Sequence, residues 1–195
     1  MLYPRLFSLV LLLPVATAGL VPLWSSKRGH TIGMGKPRVL AQFNWIPYQL
    51  TDVCLDCVRP NNTALYNCTL ELNWLDPNSV QTNNVSSTTC SSTWSWDGVT
   101  VTRGKSNSYD NKYSTCWQNN PFFFAMEIQE FQSGENLTLG LTHAYYDNIT
   151  WSDPEDQYPH TFSWPNLGLP LVTRSTRHIK YFGDGPYNAT IMGLD

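Results

Sequence analysis

Charge is scarce in this chain. Lys, Arg, Asp and Glu make up 14% of 195 residues, with 12 basic against 15 acidic side chains, so the basic surface that holds a phosphate backbone is missing and nucleic acid is not expected as a partner. Long apolar runs are lacking too. Leu6 to Val15 is roughly half the length that crosses a bilayer, and no later segment approaches it. No window combines a helical period with caps. Gly-x-Ser-x-Gly, which would set a serine nucleophile on a strained turn, is absent. So are a calcium loop with its glycine and a second cysteine pair at the spacing of a zinc site, and neither a metal nor a cofactor is expected.

What is present begins with an address. A basic Arg5, the leucine-rich run and Ala16-Thr17-Ala18 have the order of a secretory signal peptide over residues 1–18, cleaved after Ala18. The chain ends at Met192-Gly193-Leu194-Asp195 with no hydrophobic tail or terminal cysteine, so no membrane anchor is expected. Loss of Arg5 with the signal leaves 11 basic and 15 acidic residues. Residues 19–40 read as a loose N-terminal segment. In it Lys27-Arg28 is either a solvated dibasic pair or the end of a propeptide. Residues 41–195 are enough for one domain with a real core.

Six Asn-x-Ser/Thr sequons follow, at Asn61, Asn67, Asn84, Asn136, Asn148 and Asn188. Beside a signal peptide they point to a glycoprotein of the secretory pathway, and each marks a position expected at the surface. Aromatics at 13% with abundant Asn, Ser and Thr suit an extracellular β protein.

Alternation gives the fold class. Tyr66, Cys68, Leu70, Leu72 and Trp74 share one face, with Asn67, Thr69, Glu71 and Asn73 on the other. Leu137, Leu139, Leu141, His143 and Tyr145 repeat the pattern, as do Phe124, Met126 and Ile128. Shorter strands are expected over Phe43–Leu50, Thr88–Trp94, Val99–Arg103, Tyr113–Trp117, Leu169–Thr173, His178–Phe182 and Tyr187–Met192. Turn chemistry at Asp76-Pro77-Asn78, Asp97-Gly98, Ser133-Gly134, Asp153-Pro154 and Gly183-Asp184-Gly185-Pro186 separates them. The expectation is all-β: a single antiparallel sandwich or barrel with disulfides.

The five cysteines leave one unpaired after two bridges. Sequence does not fix the connectivity, and the expected pairs are Cys57 with Cys68 and Cys90 with Cys116, each bracketing a polar, turn-rich connection between neighbouring strands. Cys54 is then either a small buried hydrophobe or the link of a disulfide-bonded dimer. A redox role for Cys54-x-x-Cys57 needs a helix N-terminus at the first cysteine, and none is expected.

Tyr48-Gln49-Leu50-Thr51-Asp52, Cys57-Val58-Arg59-Pro60 and Tyr66-Asn67-Cys68-Thr69-Leu70 resemble the opening of small secreted proteins of filamentous ascomycete fungi. Lys112-Tyr113-Ser114-Thr115-Cys116, Phe122-Phe123-Phe124 and the strand from Leu137 are similar to the middle of the Alternaria-allergen-like β-barrel proteins. The resemblance covers about half the chain and implies an extracellular β-barrel or sandwich, in some members an allergen or an effector that meets plant proteins. The allergen pattern has a cysteine pair near its C-terminus that this chain lacks, so no dimer contact or binding site is carried over.

Candidate chemistry is thin. His143 in an apolar strand series reads first as a core histidine, and His160 and His178 have no recognisable ligand partners. Glu127 and Glu130, three apart, are expected on opposite faces. Asp147, Asp153, Glu155 and Asp156 around Trp151 read as a solvated acidic loop, with a calcium or sugar site as the alternative. Arg174, Arg177, His178 and Lys180 form a basic edge. Trp94, Trp96, Trp117, Trp151 and Trp164 lie in polar contexts. Trp94, Trp96 and Trp151 are the candidate ligand-binding residues, against the plainer reading that the indoles fill the core. The expected function is that of a secreted fungal glycoprotein acting as a non-enzymatic extracellular binding protein, effector or allergen-like, with a protein or carbohydrate ligand. The alternatives are a cell-wall carbohydrate-binding protein and a small secreted enzyme, hydrolase or cyclase, assembled from distant strands.

Overall fold

In the computed structural model the described residues are 45–78, 86–116, 124–145 and 160–194. They lie within one compact unit, Gly35–Asp195. The signal peptide and the Lys27-Arg28 pair fall outside them. Every described strand pairs antiparallel.

The first sheet contains β1 (Tyr48–Val58), β2 (Tyr66–Leu75), β3 (Ser87–Trp96), β9 (Leu171–Arg174), β10 (His178–Gly183) and β11 (Tyr187–Ala189). Its order is β3-β2-β1-β10-β9, and β11 pairs the opening of β1. The second contains β4 (Ser114–Thr115), β5 (Phe124–Ser133), β6 (Asn136–Ala144), β7 (His160–Ser163), β8 (Asn166–Leu167) and β12 (Gly193–Leu194). There the order is β12-β7-β6-β5-β4, with β8 beside β6. Both sheets contribute to one buried core, a sandwich-like arrangement in which alternate residues of each strand face inward.

The alternation read from sequence holds on β2, where Tyr66, Cys68, Leu70, Leu72 and Trp74 are buried, and on β6, where Leu137, Leu139, Leu141 and His143 are. Two bulges alter the parity elsewhere. On β1 the register shifts between Thr51 and Cys54, with Asp52 at φ 51°. The inward set therefore runs Tyr48, Leu50, Val53, Leu55, Cys57. The expected strand stopped at Leu50 because this change of phase hides its continuation. On β5 a shift between Ile128 and Glu130 carries the inward series from Ile128 to Phe131. Glu127 and Glu130 consequently both face outward, correcting the opposite-face expectation. Val99–Arg103 is not a strand: Val99 is 80% exposed in a loop that starts at the Asp97-Gly98 turn, where the Asp97 carboxylate accepts from the Val99 and Thr100 amides and Gly98 takes φ 92°.

Both expected bridges are formed. Cys57 and Cys68 stand directly opposite on β1 and β2. Cys90 on β3 joins Cys116, which follows β4. The second bridge does not link neighbouring strands of one sheet as expected; it staples the edge strand of one sheet to the edge strand of the other. Among the described residues no helix is long and apolar enough to cross a membrane.

Candidate functional site

The inward series of β2 does not stop at Trp74. Two residues on, Asp76 keeps the same parity and is fully buried. On the facing sheet the inward series of β6 ends in His143, with Tyr145 beyond it. The two series meet at one end of the sandwich, where His143 Nδ1 lies 2.8 Å from Asp76 Oδ2. Tyr145 donates its hydroxyl proton to the same oxygen. The other oxygen, Oδ1, accepts from the Asn78 backbone N–H and side-chain amide, both at 2.9 Å. Thr161 on β7 donates to the Tyr145 hydroxyl at 3.1 Å and is hydrogen-bonded to Tyr48 on β1. Asn78 in turn exchanges hydrogen bonds with the Ile46 backbone, at 3.0 and 2.8 Å. Side chains from β1, β6, β7 and the turn after β2 thus form one polar chain through the apolar interior. Phe124 stacks on the His143 ring, centroids 3.8 Å apart, and Trp74 packs edge-on to Phe124 at 4.7 Å.

Burial sets the charges. It pushes the Asp76 carboxyl up, but the hydrogen bonds from His143, Tyr145 and Asn78 outweigh it and hold the group below the usual carboxylate range. For His143 burial dominates and moves the imidazole down, against the pull of Asp76. The pair is therefore a carboxylate beside a neutral imidazole whose Nδ1–H donates to it. Burial also pushes the Tyr48 and Tyr145 hydroxyls up, so both stay protonated donors.

A carboxylate that orients a histidine through Nδ1 is the arrangement general-base histidines use. Here His143 and Asp76 are both 0% exposed, with an aromatic ring stacked on the imidazole. The arrangement ties the two sheets together and offers a substrate no exposed atom. Asp76 is the partner that sequence reading missed. The sequence does carry a signal: Asp76 extends the inward parity of Tyr66 to Trp74 by one step, but Asp76-Pro77-Asn78 reads as a turn, which hides it.

The other candidates fall in different places. Trp94 and Trp96 do share a face, but it is the inward one: they are 4% and 2% exposed and both pack edge-on to Phe131 with centroids 4.9 Å apart. Neither can serve as a ligand platform. Trp151, Trp117, Asn84, Asn148 and the acidic residues Asp147, Asp153, Glu155 and Asp156 lie outside the described residues. Asn61, Asn67 and Asn188 are exposed and Asn136 is half-buried. His178 Nε2 is 2.9 Å from Asp56 Oδ1 on the outer face of the first sheet.

That outer face holds a shallow groove of about 680 Å³ lined by Cys54, Asp56, Arg59, Asn67, Glu71 and Lys180 among others. Cys54 is the free cysteine. Burial pushes its thiol up, and Asp56 and Glu71 add to this against Lys180, so it is a weak nucleophile at neutral pH. With Cys57 bound to Cys68, Cys54-x-x-Cys57 is no redox pair. Among the described residues no cluster of His, Cys, Asp and Glu could hold a metal ion. Compared with family models, curated proteins and solved structures, the chain matches none.

Proposed function

We propose that this chain is a secreted fungal glycoprotein that binds an extracellular partner without altering it chemically, in the manner of the effector and allergen-like proteins its sequence resembles. The burial of the Asp76–His143 pair carries this reading. The most catalytic-looking constellation of the described residues is closed to solvent and spent on joining the sheets, which leaves the outer faces of the sandwich as the surfaces that meet other molecules. Secretion rests on the signal-like residues 1–18, on the sequons, and on two disulfides, which persist in oxidising compartments.

The test is an activity panel of glycoside, ester, peptide and phosphoester substrates offered to the purified protein and to a folded His143→Gln variant. The expected result is no turnover by either. Turnover that is lost with His143 would overturn the reading in favour of the enzyme.

A disulfide-linked dimer through Cys54 belongs to the same proposal, since the thiol opens onto the groove of the first sheet. On non-reducing electrophoresis the secreted protein is expected at twice its reduced mass, with Cys54→Ser running as the single chain. A single-chain band before reduction rejects the dimer.

A further inference from the structure

On the second sheet, two exposed aromatic side chains flank β5 and β6. Tyr113, just before β4, and Trp164, just after β7, are 43% and 45% exposed. β5 and β6 lie between them in the sheet, and the Tyr113 hydroxyl lies over Gly140. A Cβ added at Gly140 would lie 2.7 Å from the Glu127 side chain and 2.9 Å from the Tyr113 hydroxyl, so glycine is what lets this layer settle onto the sheet. The Tyr113 hydroxyl and the Glu127 carboxylate thus stand side by side above Gly140, where burial and the carboxylate push the phenol up. Gln129 Nε2 donates to that carboxylate, at 3.1 Å. Phe162 supports the indole from the side, ring centroids 5.4 Å apart. The indole is therefore backed by a neighbouring ring before anything binds, which lowers the ordering cost of binding.

Trp164 also forms one wall of a cleft of about 240 Å³ whose other walls include Asn166, Tyr187, Asn188 and Met192. Exposed rings with a carboxylate and amides beside them are complementary to a molecule with an apolar face and a rim of hydroxyls. A β-linked gluco-configured pyranose has that shape: its substituents are equatorial, both ring faces are C–H surfaces, and its hydroxyls point outward to donate to a carboxylate.

We propose that the Trp164–Tyr113 face binds a β-linked glucan or N-acetylglucosamine chain, a pyranose ring stacking on the Trp164 indole while a neighbouring hydroxyl donates to Glu127. This assignment rests on the binding reading above and names its ligand. It also moves the carbohydrate site from Trp94 and Trp96, which are buried, to Trp164.

The experiment titrates the secreted protein with β-1,3-glucose, β-1,4-glucose and β-1,4-N-acetylglucosamine hexamers, followed by tryptophan fluorescence and calorimetry. Saturable binding of at least one hexamer is expected. Trp164→Ala should weaken it at least about tenfold, as loss of a stacking anchor does, with Trp164→Phe recovering part of the loss. Glu127→Gln should weaken it about three- to tenfold, and Val172→Ala, an exposed change on the other sheet, should leave it unchanged. Denaturation midpoints establish that each variant is folded.

Absence of binding to all three hexamers, before and after enzymatic removal of N-glycans, overturns the saccharide assignment and leaves the binding reading standing. Binding undiminished in Trp164→Ala overturns the location. Chromatography of the hexamer after long incubation separates the two readings: a shortened hexamer rejects the non-enzymatic reading while the site itself stands.

Discussion

Asp76→Ala is expected to destabilise the fold by about 2–5 kcal/mol, since it leaves several buried donors without their shared acceptor. The cost comes from what remains. His143 Nδ1–H, the Tyr145 hydroxyl and the Asn78 amides all point at the vacated carboxylate, and a buried donor without an acceptor costs about 1–3 kcal/mol. Asp76→Asn keeps the shape and one acceptor oxygen but turns an NH2 group toward a donor. A loss of about 1–3 kcal/mol is expected for it. Urea midpoints for the two variants and the parent decide the matter. A loss below about 1 kcal/mol for Asp76→Ala would mean that the network does not hold the sheets together.

The same pair makes the fold acid-sensitive. Asp76 and His143 both titrate below their ordinary values in the folded state, so the unfolded chain binds more protons than the folded one as pH falls. The His143 contribution is complete above its unfolded value of about 6.5 and is lost as pH drops below it. The Asp76 contribution is complete above about 3.9 and is lost below that. Groups facing the pair act on it as well: His160 works against a charge on His143, and the tyrosines stay neutral throughout. Urea midpoints should thus decline from pH 7 to pH 5, and the further decline below pH 4 should be smaller in Asp76→Asn. An equal midpoint at pH 7 and pH 5 would contradict a buried neutral imidazole.

The strands that could be read from sequence are the ones whose parity is unbroken. β2 and β6 alternate without interruption, so their inward residues are those named from the chain alone. β1 and β5 were read only in part, because a bulge inserts one residue and exchanges the faces beyond it, a shift with no reliable signature in residue type. His160–Ser163 and Gly193–Leu194 went unread because two to four residues hold too little alternation. Spacing leaves the disulfide connectivity open; the turn-rich connections favour the two pairs that form, but they do not say which sheet a strand joins, so the link from one sheet to the other through Cys90 and Cys116 is not legible. The site divides the same way. His143 was correctly weighed as a core residue, while its acid partner lies 67 positions away, a separation only the fold brings together. The tryptophans show the limit of local context: Trp94 and Trp96 stand among serines and threonines, yet alternation turns the indoles inward and the small polar residues outward.

Phe131→Ala should reveal that inward placement, with a loss of about 3–5 kcal/mol. Phe131 is 0% exposed, and three rings meet it edge-on: Trp94 and Trp96 at 4.9 Å and Tyr109 at 6.5 Å. Near-perpendicular rings set the positive edge of one against the negative face of the other, so truncation removes those contacts as well as the buried area. The wall around the cavity has little freedom to collapse. Trp96 is held by its indole N–H to the Thr100 carbonyl at 3.0 Å. Asn107 pins the adjoining loop, donating to the Thr100 and Phe131 carbonyls at 2.9 and 3.2 Å. Phe131→Leu, which refills part of the space, should lose clearly less. The tryptophan emission of folded Phe131→Ala should shift to longer wavelength as water gains access to the two indoles, and added saccharide should leave the part of the emission that comes from Trp94 and Trp96 unmoved. A loss under about 1 kcal/mol, in the range of ordinary surface changes, would show that the three rings do not depend on Phe131 for their packing.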